Sequence, residues 1–144
     1  MADLIELLLA APGLYLGTQV TPHVPGDEVG VARLVVTPLP GGSGVSLDYE
    51  VLTPTNGRNH AEHAVLARGT KGAMLMTAHS HADVATVAHE TEPGYFPAAE
   101  GDATFPMAIR LEVPEPGHLI YSWSYARPGE ELRVADVGDL RRVS

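Results

Sequence analysis

Three of the chain's seven histidines fall in one fourteen-residue stretch, which makes this stretch the first place to look for chemistry. It reads TAHSHADVATVAHE from Thr77 to Glu90 and contains His79, His81 and His89. His-x-His spacing on a strand puts both imidazoles on one face, where they can chelate zinc, nickel, copper or iron. Cysteine is absent, so a metal would need ligands from His, Asp, Glu or backbone oxygen. The stretch predicts either a metal site or the polar face of a strand.

The turn at Arg68-Gly69-Thr70-Lys71 predicts which residues share a face with these histidines. A two-residue or a four-residue hairpin loop here would pair Glu62 with Thr77 and His60 with His79. Directly opposed residues point to the same side of a sheet, with Cβ atoms about 5 Å apart. One patch of candidate metal ligands follows, and its histidines are His60, His79 and His81.

The opposite face of the same two strands is more apolar, so we predict that it faces the protein interior and that the histidine patch faces water. Its members beside His63 are Ala61, Val65, Ala67, Met74, Met76 and Ala78. A tight turn at Ala82-Asp83 would set His89 opposite Met76 on this face. His63 and His89 are therefore predicted to point inward with Met74 and Met76, as polar contacts for a ligand or as an inner metal pair.

Turn signals recur at roughly ten-residue spacing along the whole chain, which is typical of an all-β meander, sandwich or barrel. A short helix is expected at Ala2–Ala11, capped by Asp3. Strands are expected near residues 14–22, 29–38, 44–52, 58–68, 72–81, 84–91, 104–113, 119–127 and 130–137, with a further short piece at 139–143. Nothing suggests a linker, so residues 1–144 are predicted to form a single domain.

Nine or ten antiparallel strands would expose long edges in a flat sheet, and closure into an up-and-down barrel removes those edges. A sandwich is the alternative. Period-two alternation predicts the inner wall, and a barrel of this strand number is wide enough to leave a cavity. Besides Met74 and Met76, the predicted cavity wall includes Val45, Leu47, Tyr49, Met107, Ile109, Tyr121 and Trp123. The strands on either side of Pro114–Gly117 share one apolar face only if the loop between them has five residues and includes His118, or if one strand contains a bulge. We favour the five-residue loop.

The segment after the helix reads APGLYLGT, with Gly13, Tyr15 and Gly17 at alternate positions. It resembles the GxWxG signature that opens the first strand of calycin barrels, which include lipocalins, fatty-acid-binding proteins and nitrobindin-like haem-binding barrels. Tyr15 replaces the usual Trp. The resemblance implies that a basic residue of the last strand packs over this ring and closes the barrel base, a role that Arg141 or Arg142 could take.

Chain length and the short helix are most similar to the nitrobindin-like group, which the resemblance associates with a haem held by a His in the pattern HLxAxLxR. Aligning Leu140 and Arg142 with the end of this pattern puts Ala135 at the His position. The usual haem ligand is therefore missing, and the resemblance does not carry haem chemistry to this chain. No cofactor is certain, although haem or a divalent metal stays open.

Charge and hydropathy narrow the function classes. The formal net charge is −9, the wrong sign for tracking a phosphate backbone, so a nucleic-acid partner is not expected. No apolar run reaches the ~20 residues of a membrane span, and we expect a cytoplasmic protein. The predicted function is a binding protein for a small, largely apolar molecule. A metal- or haem-dependent enzyme and a filled structural or interaction barrel are the alternatives, and a homodimer stays open.

Overall fold

The computed structural model describes residues 2–22, 26, 28–55, 57–80, 85–98, 106–126 and 129–144, with side chains except at positions 58 and 59. Within these residues, one helix and ten strands make up the fold. They are α1 (Leu4–Ala10), β1 (Gly13–Val20), β2 (Gly30–Pro38), β3 (Gly44–Thr53), β4 (Gly57–Gly69), β5 (Gly72–His79), β6 (Thr86–His89), β7 (Tyr95–Pro97), β8 (Met107–Glu115), β9 (His118–Tyr125) and β10 (Arg133–Arg142), with one turn of 3₁₀ helix at Pro40–Gly42. Among the described residues, no helix has the length and apolar character that a membrane crossing requires.

The strands form one antiparallel sheet in the order β6-β5-β4-β3-β2-β1-β10-β9-β8-β7. Every neighbour in this order is also a neighbour in sequence except β1 and β10, which join the two ends of the chain. The free edges, β6 and β7, meet through a single bridge between Ala88 and Ala98. The sheet is thus a nearly closed up-and-down barrel, and the predicted all-β fold class is confirmed.

The helix begins as the sequence predicts. Asp3 accepts a hydrogen bond from the Glu6 backbone N–H, and the Glu6 side chain accepts one from the Asp3 backbone, which together make a capping box. The helix packs against β3 and β8 and buries Ile5 and Leu8, so it plugs one end of the barrel. We call this end the lower end and the opposite one the upper end.

Three details of the strand prediction are wrong. The expected strands 130–137 and 139–143 are one strand, β10, with a register shift between Val134 and Asp136. The short strand β7 was not predicted. His118 does not lie in a turn, because a bulge between Glu112 and Glu115 restores the common apolar face and lets His118 pair with Glu115 at the start of β9.

The most consequential error concerns the faces of β4 and β5. Their register is two residues away from the predicted one, so that Glu62 opposes His79, and an even shift leaves the two faces unchanged. The face that points inward is nevertheless the histidine face. Its lower part carries Leu66 and Leu75, which are 0% and 1% exposed. The prediction followed the mean hydropathy of each face and missed that one face is apolar at one end and polar at the other.

Pairing with β3 is the physical reason for this orientation. Val45 lies opposite Leu66 and Leu47 lies opposite Ala64, so the inward residues of β3 put the Leu66 face of β4 inside. The lower half of the barrel is then filled with aliphatic side chains that are no more than 2% exposed. These include Ile5, Leu8, Val36, Val45, Leu66, Leu75, Leu119 and Leu140.

Candidate functional site

The lower end is sealed where β1 meets β10. Tyr15 is 2% exposed and its hydroxyl donates to the Ala11 carbonyl at 2.6 Å. Arg142 pairs with Tyr15 across the two strands, and its Nε donates to the Pro12 carbonyl at 2.6 Å. At Gly17, a Cβ would lie 1.8 Å from the Asp139 carbonyl oxygen, so only glycine allows this approach of the strands.

Gly13 belongs to the same seal, because a Cβ there would lie 2.1 Å from the Ser144 carbonyl oxygen. Of the two arginines, Arg141 points outward and donates to Glu115 at 2.7 Å. Arg142 is therefore the residue that ties the last strand to the first. The GxYxG segment explains closure of the barrel and offers no chemistry of its own.

The upper half of the interior has a different character. Polar and aromatic side chains from six strands converge there, and we call them the upper cluster. It comprises Gln19, Tyr49, His60, Glu62, His79, Tyr121, Trp123 and Asp136. Strand alternation puts them there: each is on the same face of its strand as core residues lower in the barrel.

Aromatic rings form a continuous wall in the upper cluster. The rings of Tyr49 and Tyr121 stack across the interior with centroids 4.8 Å apart. The His60 ring lies 6.0 Å from both Tyr49 and His79, and the Trp123 ring lies 5.9 Å from His79. These spacings are within the range of favourable aromatic pairs.

Glu62 is the charged group at the centre of this wall. Its side chain is 2% exposed, and its Oε1 lies 3.7 Å from Nε2 of His60. Burial raises the pKa of Glu62, and the neighbouring His60 opposes the shift. Its second oxygen, Oε2, is buried and has no hydrogen-bond partner among the described residues; the same is true of the Tyr121 hydroxyl.

Tyr49 links Glu62 to the rest of the upper cluster. Its hydroxyl donates to Oε1 of Gln19 at 2.6 Å and lies beneath Gly138, where a Cβ would come within 2.4 Å of that hydroxyl. Burial raises the pKa of Tyr49, and the charges of Glu62 and Asp136 raise it further. Asp136 also accepts a hydrogen bond from the Thr21 hydroxyl at 3.2 Å.

The predicted ligand-binding residues divide between the two faces. Five of them point into the barrel, and their role in binding stays a prediction: Tyr49, Met107, Ile109, Tyr121 and Trp123. The prediction that the other four point inward is wrong, because β4, β5 and β6 turn this face outward: His63, Met74, Met76 and His89. His63 is 57% exposed and its Nδ1 lies 2.5 Å from Asp48 Oδ1 on the outer surface.

The predicted metal ligands divide differently. His60 and His79 lie inside the barrel, so the prediction that their patch faces water is wrong. His81 lies outside the described residues. No group of three metal-ligating side chains occurs among the residues that the structure describes.

The haem route of the nitrobindin-like pattern does not fit this chain. Ala135 holds the ligand position, at the bulge where β10 shifts its register against β9. A methyl group cannot coordinate iron, so no chemistry follows from this position.

Two functional candidates escaped the sequence analysis. Gln19 continues the alternation of Tyr15 and Gly17 and could have been assigned to the inner face on that ground. Asp136 continues the alternation of Leu140 and Gly138 in the same way, but the predicted break between strands 130–137 and 139–143 separated it from them.

A groove of about 390 Å³ lies along the outer face of β2 to β5, and Tyr49, Glu62 and His79 also belong to its lining. It is lined by Arg33, Asp48, Glu50, His63 and Ser80, among others. Asp48 and His63 satisfy each other and are half exposed, so the groove has the character of a solvated surface. The buried upper cluster is the stronger candidate.

Comparison with solved structures agrees at the level of the whole barrel. The crystal structure of Rv2717c from M. tuberculosis matches with a TM-score of 0.68 over 100% of this chain and 99% of that chain, at 14% identity. The shared property is the fold. No protein-family model and no curated protein matches the chain. The function therefore has to be argued from the upper cluster itself.

Proposed function

We propose that this chain is a calycin-like binding protein that holds a small, flat, largely apolar molecule in the upper half of its barrel. One observation carries the proposal: Glu62 Oε2 and the Tyr121 hydroxyl are buried among aromatic rings and have no hydrogen-bond partner among the described residues. Leaving such a group without a partner costs about 1–3 kcal/mol. A bound molecule that stacks on the rings and reaches these oxygens would remove that cost. A cytoplasmic location remains a prediction from the sequence.

Affinity in this proposal has two sources. Burial of the ligand's apolar surface contributes roughly 25 cal/mol per Å² before association costs. Stacking against Tyr49, Tyr121 and Trp123 adds to it and selects planar shapes. The resemblance of Gly13, Tyr15 and Gly17 to the calycin signature supports a barrel of the ligand-binding kind, and the superfamily membership is part of the proposal.

Fluorescence of Trp123, the single tryptophan, tests the proposal directly. We expect a saturable change when the protein is titrated with some of a panel of planar aromatic compounds and fatty acids, together with a rise in Tm. His79→Ala should weaken the response because the imidazole packs against the indole ring. His89→Ala, on the outer face of β6, is the matched control and should leave it unchanged. A flat response to the whole panel would favour the filled barrel instead.

A metal- or haem-dependent enzyme is the second candidate, and the inward position of the two histidines His60 and His79 beside Glu62 favours it, although the described residues supply no third ligand group. These residues are of the types that bind iron, zinc or copper. Metal analysis of the purified protein and an absorbance titration with haemin test it. Stoichiometric metal, or a Soret shift lost in His79→Ala, would support it over the simple binding protein.

A further inference from the structure

The strongest clue to the kind of ligand is the sign of the charge inside the upper cluster. Resting on the function proposed above, we propose that the ligand is a small organic cation, a protonated aromatic or heteroaromatic amine whose N–H donates to Glu62 Oε2 while its ring packs against the aromatic wall.

The position of Glu62 favours a cationic ligand. The residue lies on β4 between Tyr49 on β3 and His79 on β5, so its carboxyl group is enclosed laterally by ring-bearing neighbours. Oε1 faces His60, whereas Oε2 is buried and has no hydrogen-bond partner within the described part of the chain. A carboxylate oxygen accepts hydrogen bonds, and its strongest partners are cationic N–H groups.

The aromatic wall also favours a cationic ligand. The face of an aromatic ring is negative, so a cation held within about 6 Å of a Trp or Tyr centroid is attracted to it. Tyr49 lies opposite Glu62 on the neighbouring strand and stacks on Tyr121, and Trp123 packs against His60 and His79, which flank Glu62. Several aromatic faces around one carboxylate form the arrangement that recognises ammonium groups.

The other charges near Glu62 favour a cationic ligand over an anionic one. Asp136 is the second carboxylate of the interior, and its charge and that of Glu62 both act on the Tyr49 hydroxyl. Among the side chains that the structure describes, no Lys or Arg belongs to the upper cluster, and the chain carries a formal net charge of −9. A carboxylate ligand such as a fatty acid would therefore meet like charge, whereas an amine would meet opposite charge.

Binding of a cation beside Glu62 should release a proton. Burial raises the pKa of Glu62 in the free protein, so at a pH below this value the carboxyl group is protonated. An ammonium group beside it would lower that pKa, and binding would release a proton. Among the described residues, Tyr49 on β3, His60 on β4 and His79 on β5 are the titratable groups next to Glu62, and Tyr121 on β9 and Asp136 on β10 are the others of the upper cluster. Glu62→Gln separates the contribution of Glu62 from theirs.

The experiment compares three ligands of one skeleton: 2-naphthylmethylamine, 2-naphthalenemethanol and 2-naphthoate, titrated into the full chain by calorimetry at pH 6 and pH 8. The amine should bind at least about ten-fold more tightly than the alcohol, the carboxylate least, and the amine's advantage should grow with pH. Glu62→Gln should lose the amine's advantage and keep the alcohol's affinity within about two-fold. His63→Ala, on the outer face of the same strand, should change none of the three. Circular dichroism and Tm establish that each variant is folded.

Each outcome decides something. If the alcohol or the carboxylate binds as tightly as the amine, or if the amine is unaffected by Glu62→Gln, the cation proposal is overturned and the binding proposal stands. If no member of the naphthyl series, or of the smaller benzyl series, binds at either pH, both are overturned. Should Glu62→Gln fail to fold, proton release by the wild-type chain takes its place. Calorimetry of the amine in buffers of different ionisation enthalpy must then show a proton released on binding, and its absence counts against the cation.

Discussion

The lower and upper halves of this barrel are lined by the same strands and differ in almost every other respect. Below, Leu66 and Leu75 pack inside a layer of aliphatic side chains beneath a helix that plugs the end. Above, beyond Ala64 and Thr77, the inward residues of these strands are Glu62 and His79, which lie among rings and hydroxyls. A single strand face therefore serves stability at one end and recognition at the other. Hydropathy averaged over a strand cannot detect this division.

Leu66→Ala tests whether the lower half holds the barrel together. Leu66 is fully buried, and its truncation leaves a cavity that the packed aliphatic layer cannot fill, so we expect a loss of about 2–5 kcal/mol in the free energy of unfolding. Leu52→Ala is the control, because Leu52 is 45% exposed on the outer face of β3 and should cost under about 1 kcal/mol. Urea denaturation measures both. Equal losses would mean that the lower layer is not the stabilising core.

Glu62→Gln tests the cost of the charge in the upper half. The unfolded carboxyl group has its ordinary pKa of 4.5, and burial raises the value in the folded chain. The folded state thus retains a proton that the unfolded state loses, and the stability due to Glu62 is complete below about pH 4.5 and falls as pH rises through the folded pKa.

The measurable quantity is the difference in unfolding free energy between the wild-type chain and Glu62→Gln. We expect it to shift against the wild type as pH rises above 4.5, by at most about 1.4 kcal/mol per pH unit, which is the limit for one proton. Denaturant titrations from pH 5 to pH 8 give this slope. Parallel curves for the two chains would show that Glu62 is not the titrating group.

Tyr15 in the lower half and Tyr121 in the upper half are buried tyrosines whose hydroxyl group can be removed by substitution with phenylalanine. Tyr15→Phe removes a hydroxyl that donates to Ala11 at 2.6 Å, and we expect it to cost about 1 kcal/mol. Tyr121→Phe removes a buried hydroxyl that has no partner in the described part of the chain, so it should be neutral or slightly stabilising in the free protein. Thermal unfolding compares the pair. A larger loss at Tyr121 would reverse the contrast between the two ends.

His63→Ala is expected to have the smallest effect. The side chain is 57% exposed and its contact with Asp48 lies on the outer surface, so the change in unfolding free energy should be within about 0.5 kcal/mol. The Trp123 fluorescence titration should also be unchanged. A lost response would mean that the outer face of β4 takes part in binding after all.

The sequence predicted the barrel because its evidence is local. Each of its signals is contained in a short segment of the chain. These signals are the regularly spaced turn residues, the alternation around Tyr49 and Trp123, and the segment from Gly13 to Gly17. The orientation of β4 and β5 depends on cross-strand partners such as Val45 and Leu66, and the place of His118 at the start of β9 depends on a bulge in β8. Such features are properties of pairing between strands, and a single strand's pattern does not contain them.

The pairing of β1 with β10 also determines when the barrel can close during synthesis. Arg142 and the Pro12 carbonyl that it binds are 130 positions apart, so the two strands come from opposite ends of the described chain. During synthesis β1 leaves the ribosome before its β10 partner is made. Until then β1 has an unpaired edge and Tyr15 has no Arg142 beside it. Ring closure is therefore a late, long-range step, and we expect it to dominate the folding time of this barrel.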